Sequence, residues 1–153
     1  MSHEYTYDIS MFRDTFETRF TYLNGFLRNV SRFGSRPALF DPHSGRRWTY
    51  RELSAEANRL AHALRADGVG KNDVVMFTLL NSPEFVFCYL AAHKIGAVAC
   101  PVNYRQGAGE IALVIDDSTP KAFIYDAEFG ELSGGALDLC ESKPAVQIVV
   151  GAE

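Results

Sequence analysis

No dinucleotide Gly-x-Gly-x-x-Gly, Gly-x-Ser-x-Gly elbow or His-Glu-x-x-His pair occurs in this chain, so these three familiar chemistries have no anchor. His3, His43, His62 and His93 lie far apart, and none has a second ligand at metal-binding spacing. Cys88, Cys100 and Cys140 are odd in number and lack CxxC pairing, which excludes a disulfide framework. The opening MSHEYTYDIS contains acids and no apolar run of the signal-peptide kind, so a reduced, cytoplasmic protein is expected. An excess of positive charge is also missing: 15 basic and 19 acidic residues are mixed along the chain, for a net charge of −4. No basic stripe offers itself to nucleic acid or anionic lipid. The most apolar stretch, residues 80–105, is broken by Glu84, His93 and Lys94 before it reaches the ~20 residues of a membrane span.

The chain does have the means to build a core. At 153 residues it has the length of one domain, with 47% hydrophobic and 22% charged residues, ordinary proportions for a globular protein. Phe12, Phe16, Phe20, Leu23 and Leu27 recur at helical spacing, which predicts a core-covering stripe, N-capped by Ser10 and broken near Asn24-Gly25. PALF and RRWTY around DPHSG predict a hairpin, with His43 solvated in its turn. Thr49 and Glu52 have the spacing of a capping box, and Leu53, Ala57, Leu60, Ala61 and Leu64 line one face of the helix that follows, ended by Gly68. VVMFTLL at 74–80 is too short for a helix and lacks alternation, so it is expected as a strand buried on both faces. Ser82 and Pro83 start the next helix, which is apolar all round and ends at Gly96. AVACPV is then read as a further buried strand. Helices at about 108–117 and 131–141 and strands at KAFIYD and VQIVV complete the pattern.

This order predicts an α/β fold: an open, mostly parallel sheet with helices on both faces, preceded by a helical lead-in (1–33) and a small β-hairpin within the α/β subdomain (34–153). Ligands of such sheets gather beyond the carboxyl ends of the strands, which directs attention to residues 80–83, 102–105, 126–129 and 150–153. Elsewhere chemistry is sparse. GVGKND at 68–73 has the wrong spacing and the wrong flanking elements for a phosphate loop, and is read as a helix cap and turn with Asn72 left-handed. Ser133-Gly134-Gly135 marks a helix start. Asp116 and Asp117, adjacent on a helix, point apart and cannot clamp one substrate. The aromatic residues follow element periods rather than alternating with Arg and Lys, so they form no base-stacking surface.

Five ordered segments, TYRELSAEANRLA, GVGKNDVV, NSPEF, AAHKIGAV and PVNYR, together resemble the early region of AMP-forming acyl-CoA synthetases, within the adenylate-forming superfamily, over about residues 26–129. The Pro-x-Asn form of PVNYR resembles CoA ligases more than peptide-synthetase adenylation domains. The resemblance implies a two-step reaction. A carboxylic acid is adenylated by ATP with magnesium, and the CoA thiol then displaces AMP. It also implies that Asn103, Tyr104 and Arg105 border the channel of CoA's pantetheine arm, although a purely structural turn suits the same residues.

The family's phosphate-cradling loop is expected soon after VQIVVGAE, and its adenine-binding motif and C-terminal lysine later still; none of these motifs is in the sequence. The chain is therefore expected to be an N-terminal fragment, with no catalytic residue of its own, no metal site and no tightly bound ATP or CoA. An exposed apolar surface capable of homodimerisation is expected with it. Two other readings stay open at this point: a natural non-catalytic binding or assembly module built on the same subdomain, and an unrelated flavodoxin-like nucleotide binder.

Overall fold

The computed structural model describes residues 8–151; His3 and the terminal Ala152 and Glu153 lie outside that range. Six helices and six strands are described: α1 (Ile9–Arg13), α2 (Tyr22–Phe33), β1 (Pro37–Phe40), β2 (Arg47–Thr49), α3 (Tyr50–Ala66), β3 (Val74–Thr78), α4 (Pro83–Ile95), β4 (Val98–Pro101), α5 (Ala108–Ser118), β5 (Ala122–Asp126), α6 (Gly130–Leu139) and β6 (Val146–Val150). A wide-turned helical stretch, Asp14–Arg19, joins α1 to the break before α2, and one 3₁₀ turn, Ala127–Phe129, precedes α6.

β3, β4, β5 and β6 form one parallel sheet in the order β4-β3-β5-β6, while β1 and β2 pair antiparallel as a separate hairpin. Three crossovers build the sheet. The first runs outward from β3 through α4 to β4, and the second returns through α5 past β3 to β5, so the order reverses between β3 and β5. Side chains sort by strand alternation. Val75, Phe77, Ala122 and Ile124 face α3 and α4, whereas Met76 and Phe123 face α5 and α6. The expected α/β architecture, with helices on both faces, is present.

The helix that is apolar all round has two partners. Cys88, Ala91 and Ala92 of α4 press on the sheet side, and Phe87 and Leu90 press outward against Trp48, Leu53, Ala57 and Phe26 of α2, the hairpin and α3. Trp48 meets Phe87 edge-on at 5.8 Å between ring centroids. The capping box of α3 forms in both directions: Glu52 N–H donates to Thr49 Oγ1 at 3.3 Å, and Thr49 N–H donates to Glu52 Oε2 at 2.8 Å. Gly96 ends α4 at φ 75° and Gly45 turns the hairpin at φ 71°, both left-handed conformations that glycine adopts without strain.

GVGKND closes the turn between α3 and β3, with Asn72 at φ 70°. Asp73 Oδ2 accepts from Gly70 N–H at 2.7 Å and from Lys121 Nζ at 3.1 Å, and Lys121 also donates to the Gly68 carbonyl at 2.6 Å. These bonds, the one from Gly70 first, hold the Asp73 carboxyl below the usual carboxylate range. The knot lies at the amino ends of the strands, opposite the edge where ligands of such sheets bind.

Several sequence expectations are corrected. Asp8, not Ser10, caps α1, accepting from Ser10 N–H at 2.8 Å; the helical break falls at Phe20–Thr21, and Thr21 caps α2 through Asn24 N–H. Phe12, Phe16 and Phe20 do not cover the core. They are 40%, 51% and 62% exposed and meet one another in tilted contacts along the outside, while α2, through Phe26, is what reaches Trp48 and Leu53. β4 is not buried on both faces: it is an edge strand, and Val98 is exposed. Ser133-Gly134-Gly135 lies inside α6 rather than at its start. A Cβ on Gly135 would sit 3.4 Å from Ala108 Cβ, in ordinary contact, so Gly135 faces α5.

Candidate functional site

The loops after β3, β4 and β5 meet at the carboxyl edge of the sheet. β3 lies between β4 and β5, so any contact between the two outer loops must pass across its end. Such a contact exists: Tyr104, after β4, stacks on Phe129, after β5, with centroids 4.9 Å apart and ring planes 7° from parallel. The stack bridges the point where the strand order reverses, the position at which open α/β sheets form ligand crevices.

Local bonding sets each loop. Asn103 Oδ1 accepts from Arg105 N–H at 3.0 Å and the Asn103 carbonyl accepts from Gln106 N–H at 3.1 Å, an Asx turn that leads the chain off the strand. Asp126 likewise accepts from Glu128 N–H at 2.9 Å and opens the 3₁₀ turn that presents Phe129. Asn103 and Arg105 are exposed and Tyr104 is half-buried; the Arg105 guanidinium lies 5.8 Å from the Tyr104 ring centroid.

A cavity of about 510 Å³ adjoins Tyr104, between the hairpin turn and the loop from Leu80 to Pro83. Arg46 stands over Trp48 on its wall, 4.6 Å from the ring centroid. Asp41 accepts from the Ser44 hydroxyl and from His43 N–H, which hold its carboxyl below the usual range; its lone pairs shape the turn. Ser82 occupies the N-cap position of α4 but makes no capping bond, and its buried Oγ has no partner among the described residues. Another cavity, of about 530 Å³, is lined by α2, β1, α3 and α4, away from the strand ends.

The arrangement offers an exposed Arg105 guanidinium at the strand edge and a polar-lined cavity beside Tyr104. Burial, aided by Glu84, pushes the Cys88 thiol up to about 12, which removes it as a nucleophile. Among the described residues, no cluster of three or more His, Cys, Asp or Glu could hold a metal ion. The glycines with phosphate-loop appearance are at the opposite edge or inside α6. The loops at 102–105 and 126–129 lie at the carboxyl edge of the sheet, as sequence reasoning placed them, but it missed that Tyr104 and Phe129 join. It also missed the cavity built by the hairpin, because neither partner carries a signal for the other.

The fold is an open α/β lobe whose strand-end loops gather at one sheet edge. The AMP-binding enzyme family profile matches residues 26–152, and the chain belongs to that family. It is 44% identical over 100 residues to a 3-hydroxybenzoate--CoA/4-hydroxybenzoate--CoA ligase of Thauera aromatica, covering 65% of this chain and 19% of that protein. It is 41% identical over 90 residues to the long-chain-fatty-acid--CoA ligase FadD13 of Mycobacterium tuberculosis, covering 59% and 18%. The inhibitor-bound N-terminal domain of FACL13 from Mycobacterium tuberculosis superposes with a TM-score of 0.75 at 31% identity, over 82% of this chain and 32% of that one. The chain thus spans about a fifth of the length of these curated relatives and carries an N-terminal piece of the family's domain. No described helix is long and apolar enough to cross a membrane.

Proposed function

We propose that this chain is the opening lobe of an ATP-dependent, AMP-forming acid–thiol ligase, which converts a carboxylic acid, ATP and CoA to acyl-CoA, AMP and pyrophosphate. In this reading residues 1–33 are a lead-in and 34–153 the α/β subdomain. The loop Asn103-Tyr104-Arg105 borders the pantetheine arm of CoA. The observation that carries this reading is the exposed Arg105 at the strand edge, on a loop set by the Asx turn and by the Tyr104–Phe129 stack. An exposed cationic fork at that place favours the phosphates and amides of the CoA arm.

The residues present fit CoA and do not fit ATP or magnesium. Triphosphate needs backbone N–H groups gathered around glycines at a strand-to-helix turn, whereas the turn Gly68–Asp73 is tied up by Asp73 and Lys121 at the other edge. The lobe alone is therefore inactive in acid activation, and no step of that chemistry is assigned to it. Identities of 44% and 41% to a hydroxybenzoate ligase and a long-chain fatty-acid ligase are too close to select the acid. A cytoplasmic location fits three unpaired cysteines.

The test is a CoA titration of the purified chain followed by amide NMR. Weak binding is expected, with Kd about 1 mM, equivalent to about −4 kcal/mol. Shifts should centre on Asn103–Arg105 and Phe129 and be lost in Arg105→Ala. Shifts confined elsewhere, or unchanged in that variant, refute the assignment of the loop.

A further inference from the structure

Asn24 and Gly25, expected from the sequence to break a helix, lie inside α2, where Gly25 N–H donates to the Thr21 carbonyl at 3.0 Å. Glycine weakens a helix relative to alanine, and neither usual reason for keeping it applies here. Its φ is not positive, and a Cβ built on it would meet no atom within 4 Å. What the missing side chain leaves is room. Gly25 lines the cavity of about 530 Å³ between α2, β1, α3 and α4, a volume typical of small-molecule sites. That cavity lies on the face of α4 that turns away from the sheet, and it shares no lining residue with the cavity beside Tyr104.

The walls set the chemistry of an occupant. Four aromatic rings, those of Phe20, Tyr22, Phe26 and Tyr50, line it together with the buried aliphatic side chains of Leu53 and Leu90. Phe26 and Tyr50 hold each other at 6.3 Å between centroids, whereas Phe20 and Tyr22 are 62% and 65% exposed and stand at the rim. The lining carries one charged group, the Arg28 guanidinium, and no carboxylate. Arg28 lies 5.3 Å from the centroid of the Phe20 ring and has no acidic partner among the described residues. A guanidinium resting on a ring keeps its N–H fork for a planar acceptor, and a carboxylate matches that fork. One cation without a second calls for a single negative charge, and the rings call for an aromatic body in offset or edge contact.

We propose that this cavity is a binding site for an aromatic monocarboxylate, with its body between α2, α3 and α4 and its carboxylate on Arg28. Occupation ties α2 to the helices beneath it and stabilises the lobe by mass action. The site uses no residue of the CoA loop, so this inference and the reading above fail separately.

The experiment titrates the purified chain with 2-naphthoate, followed by calorimetry and amide NMR. Saturable binding is expected with Kd about 0.1 mM. Shifts should centre on Tyr22, Gly25, Leu53 and Leu90 and leave Asn103–Arg105 unmoved. 2-Naphthamide, the same body without the charge, should bind about tenfold more weakly, as should 2-naphthoate to Arg28→Ala, a change at an exposed side chain. Gly25→Leu should fill the space and remove binding without lowering the melting temperature. Should that variant be destabilised, Arg28→Ala and the amide decide the question. Absence of saturable binding overturns the proposal, as do shifts centred on other residues, equal affinity for acid and amide, or undiminished binding by folded Gly25→Leu. Tighter binding of octanoate than of 2-naphthoate overturns the aromatic assignment.

Discussion

Replacing Tyr104 and Phe129 by alanine, singly and together, probes whether the loops after β4 and β5 act as one unit. The rings lie 4.9 Å apart and 7° from parallel, and both residues are half-buried. An aromatic pair adds about 0.5–1.5 kcal/mol beyond its area burial, and partial exposure places this one in the lower half of that range, about 0.5–1 kcal/mol. Each single variant also loses apolar burial. The single effects should therefore sum to more than the double variant's loss by about that coupling, because the second truncation removes no remaining stack. Urea unfolding of the four proteins, followed by far-UV circular dichroism, measures the cycle. A coupling below about 0.3 kcal/mol, the ordinary scatter of independent sites, would refute the bridge across the end of β3 and the geometry assigned to Arg105.

Three further outcomes are expected. Leu90→Ala should cost about 3–4 kcal/mol in urea unfolding, since Leu90 is 1% exposed between α4 and the hairpin layer; a loss under about 1 kcal/mol would mean that α4 is not sandwiched. Asp41, Glu52 and Asp73 all have lowered carboxyl pKa values, so the stability they add is complete above the unfolded range near pH 4 and is lost as pH falls through their lower folded values. Asp73→Asn should flatten the acid limb of a stability-against-pH curve, and an unchanged limb contradicts the knot at the amino edge. In native protein Cys100, half-buried, should react with a disulfide reagent before Cys88, which is buried with its thiol pushed up to about 12; equal native rates for the two would contradict the packing of α4.

Where local chemistry decides an element, the sequence made it legible. Thr49 and Glu52 announce their helix, Gly96 its end, and the run Val74–Thr78 announces a strand covered on both sides, which is the position β3 takes between β4 and β5. Where strand order decides, the residues were silent. Val98–Pro101 is as apolar as β3 yet half-exposed, because only the direction of the α4 crossover makes it an edge. The aromatic series Phe12-Phe16-Phe20 has the period of a buried stripe, but periodicity does not reveal which neighbours a helix face will meet, and here the rings are exposed in contact with one another. The same limit applies to the site. Asn103-Tyr104-Arg105 could be chosen as a strand-end loop, while Phe129 became its partner only through the reversal of strand order between β3 and β5.

Carboxylate-dependent exchange of labelled pyrophosphate into ATP by the purified chain addresses the division of labour most directly. A lobe whose glycine turn is tied to Asp73 and Lys121 should give none, with hydroxybenzoates or with fatty acids. Sustained exchange that tracks the pure protein would show that these residues activate the acid themselves.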